Sequence, residues 1–203
     1  AMIGSAIGVS LIARDLAGGA TAQIAAAAIA LSLPMGVLQG SSSQNDYVAG
    51  FWLICFVFHV TALLQQKGPW RIGSLLAAAA SLGLACLTKG TAYIYALPYV
   101  LFFGALLAAR WRGGFWRPAL LVAAVVLVLN SGHFVRNLRL FGSPIGPPAG
   151  LLNEGLSLSS VISNVSRNAA LQLALPSDAW NGLLENGVVR LHAEAPAALL
   201  FCC

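Results

Sequence analysis

Residues 81–98 read SLGLACLTKGTAYIYALP, and the reading of the whole chain turns on them. One cation, Lys89, stands between two apolar runs, each long enough to enter a lipid bilayer. Thr88, Gly90 and Thr91 surround it, so the link between the runs is polar and conformationally permissive. A charge at such a hinge is costly unless it faces water, protein or an anion. Two readings compete. Lys89 is either a lysine that snorkels from a helix end or a cation that binds phosphate at a membrane surface.

The composition around this stretch settles the class. Of 203 residues, 59% are hydrophobic and 8% charged, against about 25% charged in soluble domains. Uncharged stretches cover residues 16–45, 47–66, 72–88, 90–109 and 118–135. Each approaches or exceeds the roughly 17–20 residues with which a helix crosses a bilayer. Open strands cannot cross, and the runs are too continuous for the alternation of a barrel. The expected fold is therefore all-α: a polytopic transmembrane helical bundle with about five full spans, near residues 21–38, 47–64, 72–87, 92–109 and 118–130, the last rather short but able to extend towards 135.

The opening AMIGSAIGVSLIA, apolar up to Arg14, reads as the second half of a further helix that begins upstream. Residues 1–140 form the expected membrane region, incomplete at its start. Residues 141–150, FGSPIGPPAG, form a turn or linker. The segment beyond, mixed in polarity, is expected to form short amphipathic helices in an extracytoplasmic tail within residues 141–203, cut short at its end.

The net charge of +5 does not indicate nucleic-acid binding, because its cations are scattered at helix ends without a basic block. Cys55 and Cys86 lie inside apolar runs, and Cys202 and Cys203 are adjacent with no metal-ligand spacing. No metal or other cofactor is expected.

Because spans alternate in direction, the loops sort into two sets. Arg14, Lys67, Arg71, Arg110, Arg112 and Arg117 share one side; Lys89, Arg136 and Arg139 share the other. The positive-inside rule places the first set in the cytoplasm. Asp46, Lys89, His133, Arg136 and Arg139 are then extracytoplasmic, and the cations there stand against the rule that orients the rest. Cations kept in such a place mark a functional site. With Asp46 as a catalytic carboxylate, and Lys89, Arg136, Arg139 and His133 as binders of a lipid phosphate, the set suits transfer from a membrane lipid to a water-soluble acceptor. Each residue also has a plainer reading. Asp46 can cap the helix after it, His133 can end a helix, and Arg136 and Arg139 can touch lipid headgroups. His59, mid-span, reads as a core histidine bonded to a neighbouring helix.

SSSQNDYVAGFWL, GLACLTKGTAYIYALP and HFVRNLRLFGSPIGP resemble the GT-C glycosyltransferases, in particular bacterial members of the protein-mannosyltransferase and aminoarabinose-transferase group. The resemblance covers about residues 1–150, and the LTKG segment carries most of it. It implies a bacterial inner-membrane enzyme that takes a sugar from a polyprenyl-phosphate donor and passes it, with inversion, to a glycan, lipid or protein acceptor at the extracytoplasmic face. It matches Asp46 to an acidic residue of the second outer loop, near the active site, and Lys89 to a lysine that contacts the donor phosphate. Arg136 and Arg139 match the family's basic residues after the last span. It also implies a principal catalytic aspartate in a first outer loop ahead of Ala1, so the chain alone is expected to be inactive. The alternatives are a transporter, which would place its charges near the bilayer midplane, and a non-catalytic membrane scaffold.

Overall fold

Nothing but helix satisfies the backbone of such apolar runs in lipid, and helix is what they form. The computed structural model describes residues 1–16, 18–41, 44–68, 70–144, 146, 158–173 and 177–194. The helices are α1 (Met2–Asp15), α2 (Ala20–Ser32), α3 (Pro34–Gly40), α4 (Asp46–Gln65), α5 (Ile72–Thr88), α6 (Ala92–Trp111), α7 (Trp116–Phe141), α8 (Leu158–Gln172) and α9 (Asp178–Glu194). No strand occurs among the described residues. Gly142, at φ +67, lies in the left-handed region and ends α7, its amide returning to the Leu138 carbonyl.

The all-α membrane fold stands, with fewer clear spans than the sequence leads one to expect. Three helical segments among the described residues are long and apolar enough to cross: α4, α6 with the turn after it, and α7. A fourth exists if α2 and α3 count as one span, but they are bent by 66°. Pro34 is the cause. Its ring lacks an amide donor and disfavours helical geometry at the residue before it, and Leu33 is indeed extended at φ −61, ψ 119. α5 has 17 residues, about 26 Å at the helical rise, slightly short of the roughly 30 Å hydrocarbon core.

α5 packs between α4 and α7, while α1 packs between α2 and α4. The alanine-rich sequence of α5 explains its central place, since small side chains let neighbouring helices approach in lipid. Leu75, Ala78, Ala79, Leu82, Ala85 and Cys86 are buried along it. Asn130 of α7, fully buried, donates from Nδ2 to the Gly83 carbonyl at 3.1 Å. α6 leans on α4 and α5.

Hydrogen bonds tie each end of the bundle. At one end Gln65 donates to the Asp15 carbonyl, and Arg110 donates to that of Gln66. At the other, Asn45 reaches Thr88 and Lys89 meets Asp46. The first end is the one with Arg14, Lys67, Arg71, Arg110, Arg112 and Arg117 in its turns. At the second, α8 packs against α3, and α9 against α8.

Candidate functional site

The second end is built from the ends of two antiparallel helices. α4 opens with Asp46, where a negative charge complements the partial positive charge of a helix N-terminus. α5 closes at Lys89, where a positive charge complements a C-terminus. Each charge therefore suits its own helix as well as its partner. Lys89 Nζ donates to Asp46 Oδ1 in an ion pair, each side chain about a quarter exposed (26% and 25%). Asp46 does not cap α4. The cap position belongs to Asn45, and the Asp46 carboxylate turns across to Lys89.

Asn45 fixes the hinge from the other side. Its Nδ2 donates to the Thr88 carbonyl at 2.7 Å, one of the carbonyls that a helix C-terminus leaves without an intrahelical partner. Lys89 itself is extended, at φ −152, ψ 130, and Gly90-Thr91 turn the chain into α6. The Thr91 hydroxyl is buried and has no hydrogen-bond partner among the described residues. An orphaned buried hydroxyl costs about 1–3 kcal/mol.

Asp46, Lys89 and Thr91 line a cavity of about 590 Å³ between α3, α4, α6 and α8. Tyr95 and Tyr99, one turn apart on α6, form part of its wall, together with Gln39 of α3 and Asn168 of α8. The wall thus combines an ion pair, hydroxyls, amides and two aromatic rings, a set suited to a ligand that is anionic at one point and polyhydroxylated beside it.

Asp46 and Lys89 are brought together here. His133, Arg136 and Arg139 do not line the cavity. They form a group on α7, with His133 Nε2 3.0 Å from Asn137 Nδ2 and His133 Nδ1 3.4 Å from an Arg136 nitrogen. Arg136 and Arg139 are exposed. His59 sets its ring edge against Phe58, with centroids 5.2 Å apart, and makes no hydrogen bond to a neighbouring helix among the described residues. No three His, Cys, Asp or Glu side chains converge among the described residues. Cys202 and Cys203 lie outside them.

Sequence reasoning missed Asn45, Thr91, Tyr95, Tyr99 and Asn168. The two tyrosines, four residues apart just after the lysine hinge, carried a usable signal, since that spacing puts them on one helix face. Asn168 carried none, because its place depends on how α8 folds back onto α3.

A polar, ion-paired cavity thus stands at one end of an apolar helical bundle that has helices long enough to cross a membrane. Residues 1–135 match the family described as dolichyl-phosphate-mannose-protein mannosyltransferase, and the chain belongs to that family of membrane glycosyltransferases. The family's chemistry is sugar transfer from polyprenyl-phosphate donors. No curated protein and no solved structure matches the chain.

Proposed function

We propose that the Asp46–Lys89 cavity receives the phosphate and sugar of a polyprenyl-phosphate donor and that the sugar passes, with inversion, to an acceptor at the extracytoplasmic face of a bacterial inner membrane. The observation that carries this reading is the Lys89 hinge. An ammonium has three donors, and Asp46 is the partner of Lys89 among the described residues. Thr91, two residues on, adds to the same cavity wall a buried hydroxyl with no partner among the described residues. Phosphate oxygens would satisfy both.

In the transfer, an acceptor hydroxyl or amine attacks the anomeric carbon while the bond from that carbon to the phosphate oxygen breaks. The electron pair leaves with the polyprenyl phosphate, and the acceptor's proton passes to a carboxylate base. Lys89 stabilises the charge that grows on the leaving phosphate, the kind of electrostatic term that supplies most in such reactions. Asp46 holds Lys89 through Oδ1, and its second oxygen, with no partner among the described residues, orients the acceptor. Tyr95 and Tyr99 flank the sugar. Arg136 and Arg139, outside the cavity, draw the anionic donor towards this end by their field, with His133 beside Arg136.

The orientation rests on the six cations of the opposite end, which the positive-inside rule assigns to the cytoplasm. The helices α8 and α9 then lie outside, with α8 contributing to the site.

The test is transfer from a radiolabelled polyprenyl-phosphate mannose by the intact protein in proteoliposomes. Lys89→Ala is expected to lower turnover by about 10²–10³-fold, as loss of one oxyanion-stabilising donor does, with membrane insertion unchanged. Turnover at the wild-type rate in that variant would remove Lys89 from the reaction.

A further inference from the structure

A second cavity, of about 490 Å³, lies towards the basic end of the bundle, between α4, α5, α6 and α7. It shares no residue with the cavity at Asp46 and Lys89. Its walls are apolar: Leu63 of α4, Phe103 and Leu107 of α6, and Val122 and Val126 of α7 are typical. Gly104 also lines it, and a Cβ built there would meet nothing within 4 Å. The α6 wall runs from Val100 to Trp111, about 16 Å at the helical rise, close to the roughly 15 Å of half a hydrocarbon core. The cleft is therefore one leaflet deep.

Its end is polar in an unusual way. Trp111 forms part of the wall, and its indole N–H is buried with no acceptor among the described residues. Beside it stand Arg112, in the turn after α6, and Arg117, in the first turn of α7, both exposed. No carboxylate pairs with either among the described residues; the Arg117 guanidinium lies over the Trp116 ring at 5.3 Å. Arg112 is held at φ 46, in the left-handed region that a side chain rarely adopts. A greasy slot one leaflet deep, ending at a buried donor beside unneutralised arginines, matches a molecule with one long apolar chain and an anionic, acceptor-rich head.

We infer that this cleft binds an anionic phospholipid of the leaflet at the basic end. One acyl chain fills the slot between α6 and α7. The headgroup phosphate lies on Arg112 and Arg117, and an ester or phosphate oxygen accepts from Trp111 Nε1. The site lies apart from the donor cavity and does not depend on the sugar-transfer reading.

The test uses the intact protein exchanged into vesicles that contain equal amounts of phosphatidylglycerol and phosphatidylcholine, then extracted and examined by native mass spectrometry. The wild type is expected to retain phosphatidylglycerol over phosphatidylcholine by roughly tenfold, as a pair of arginines near an anionic headgroup would give. Gly104→Phe, which places a ring in the open slot, is expected to abolish retention of either lipid. Arg112→Gln with Arg117→Gln, at exposed positions that leave the packing intact, is expected to keep a bound lipid but lose the preference. Equal retention of both lipids by the wild type would overturn the inference, as would a preference that survives the arginine changes. A photoreactive group at Leu107 that labels another helix or a second copy of the chain, in place of lipid, would show that protein fills the slot and would overturn it equally.

Discussion

Asn45 donates from Nδ2 to the Thr88 carbonyl at 2.7 Å, next to the point at which Asp46 and Lys89 pair. Adjacent residues of one loop thus hold adjacent residues of another, by a neutral bond and by an ionic one. The neutral bond fixes the backbone from which Lys89 projects, so its loss should disturb the cation without removing it. Asn45→Ala is expected to lower sugar transfer about fivefold to tenfold, the rate equivalent of roughly 1 kcal/mol. Steady-state kinetics with the lipid-linked donor check this. A change confined to stability, with kcat and KM unaltered, would make Asn45 a structural tie only.

The ion pair itself has two separable jobs, tying α4 to α5 and presenting an ammonium to the cavity. Exchanging the charges, Asp46→Lys with Lys89→Asp, keeps opposite charges face to face but inverts the field and opposes both helix dipoles. The exchanged protein is expected to recover part of the stability lost in either single variant, as a double-mutant cycle in detergent would read. Transfer should stay at least 100-fold down, because no cation then stands at the α5 hinge to meet the leaving phosphate. Recovery of transfer along with stability would reduce the pair to a tie between helices.

Asn130 makes a different kind of link. Fully buried, it donates from Nδ2 to Gly83 of α5 at 3.1 Å and to Val126 of its own helix at 2.9 Å. Interhelical bonds of this type in membranes average about 0.6 kcal/mol, and the side chain also fills space. Asn130→Ala is expected to destabilise the bundle by about 1–2 kcal/mol, measured by denaturation in mixed micelles, with transfer kinetics little changed.

The legible part of the fold was what scarcity makes visible. In a chain with 8% charged residues, Asp46 and Lys89 stand out individually, and alternation of spans puts them at one end. Their direct pairing was not visible, since a capping role for Asp46 was equally consistent with its place before an apolar run. The site's neutral half was harder to read. Thr91 and the tyrosines resemble any membrane-interface residues until the hinge geometry places them in one wall. The count of spans is hardest to read at Pro34, where a break between two helices and a tolerated proline look alike in sequence. At that position α2 and α3 are bent by 66°, and they add a fourth span only if the bent pair counts as one.

Two glycines offer a sharp contrast in packing. A Cβ at Gly8 would stand 2.5 Å from Ile54 Cγ2, in the contact between α1 and α4. That methyl sits on a β-branched side chain with one strongly preferred rotamer in a helix, so it cannot swing aside. Gly4, one turn earlier, faces the Phe51 ring at 2.7 Å, and a ring on a longer side chain has more room to yield. Gly73, near the start of α5, would meet nothing within 4 Å. Gly8→Ala is therefore expected to cost about 1–3 kcal/mol through overpacking, and Gly73→Ala to stabilise by roughly 0.5–1 kcal/mol through helix propensity. Thermal unfolding of the two variants in the same detergent should move in opposite directions. If Gly8→Ala proved neutral, α1 would be able to slide on α4, and the close approach of the two helices would not be a fixed feature of the bundle.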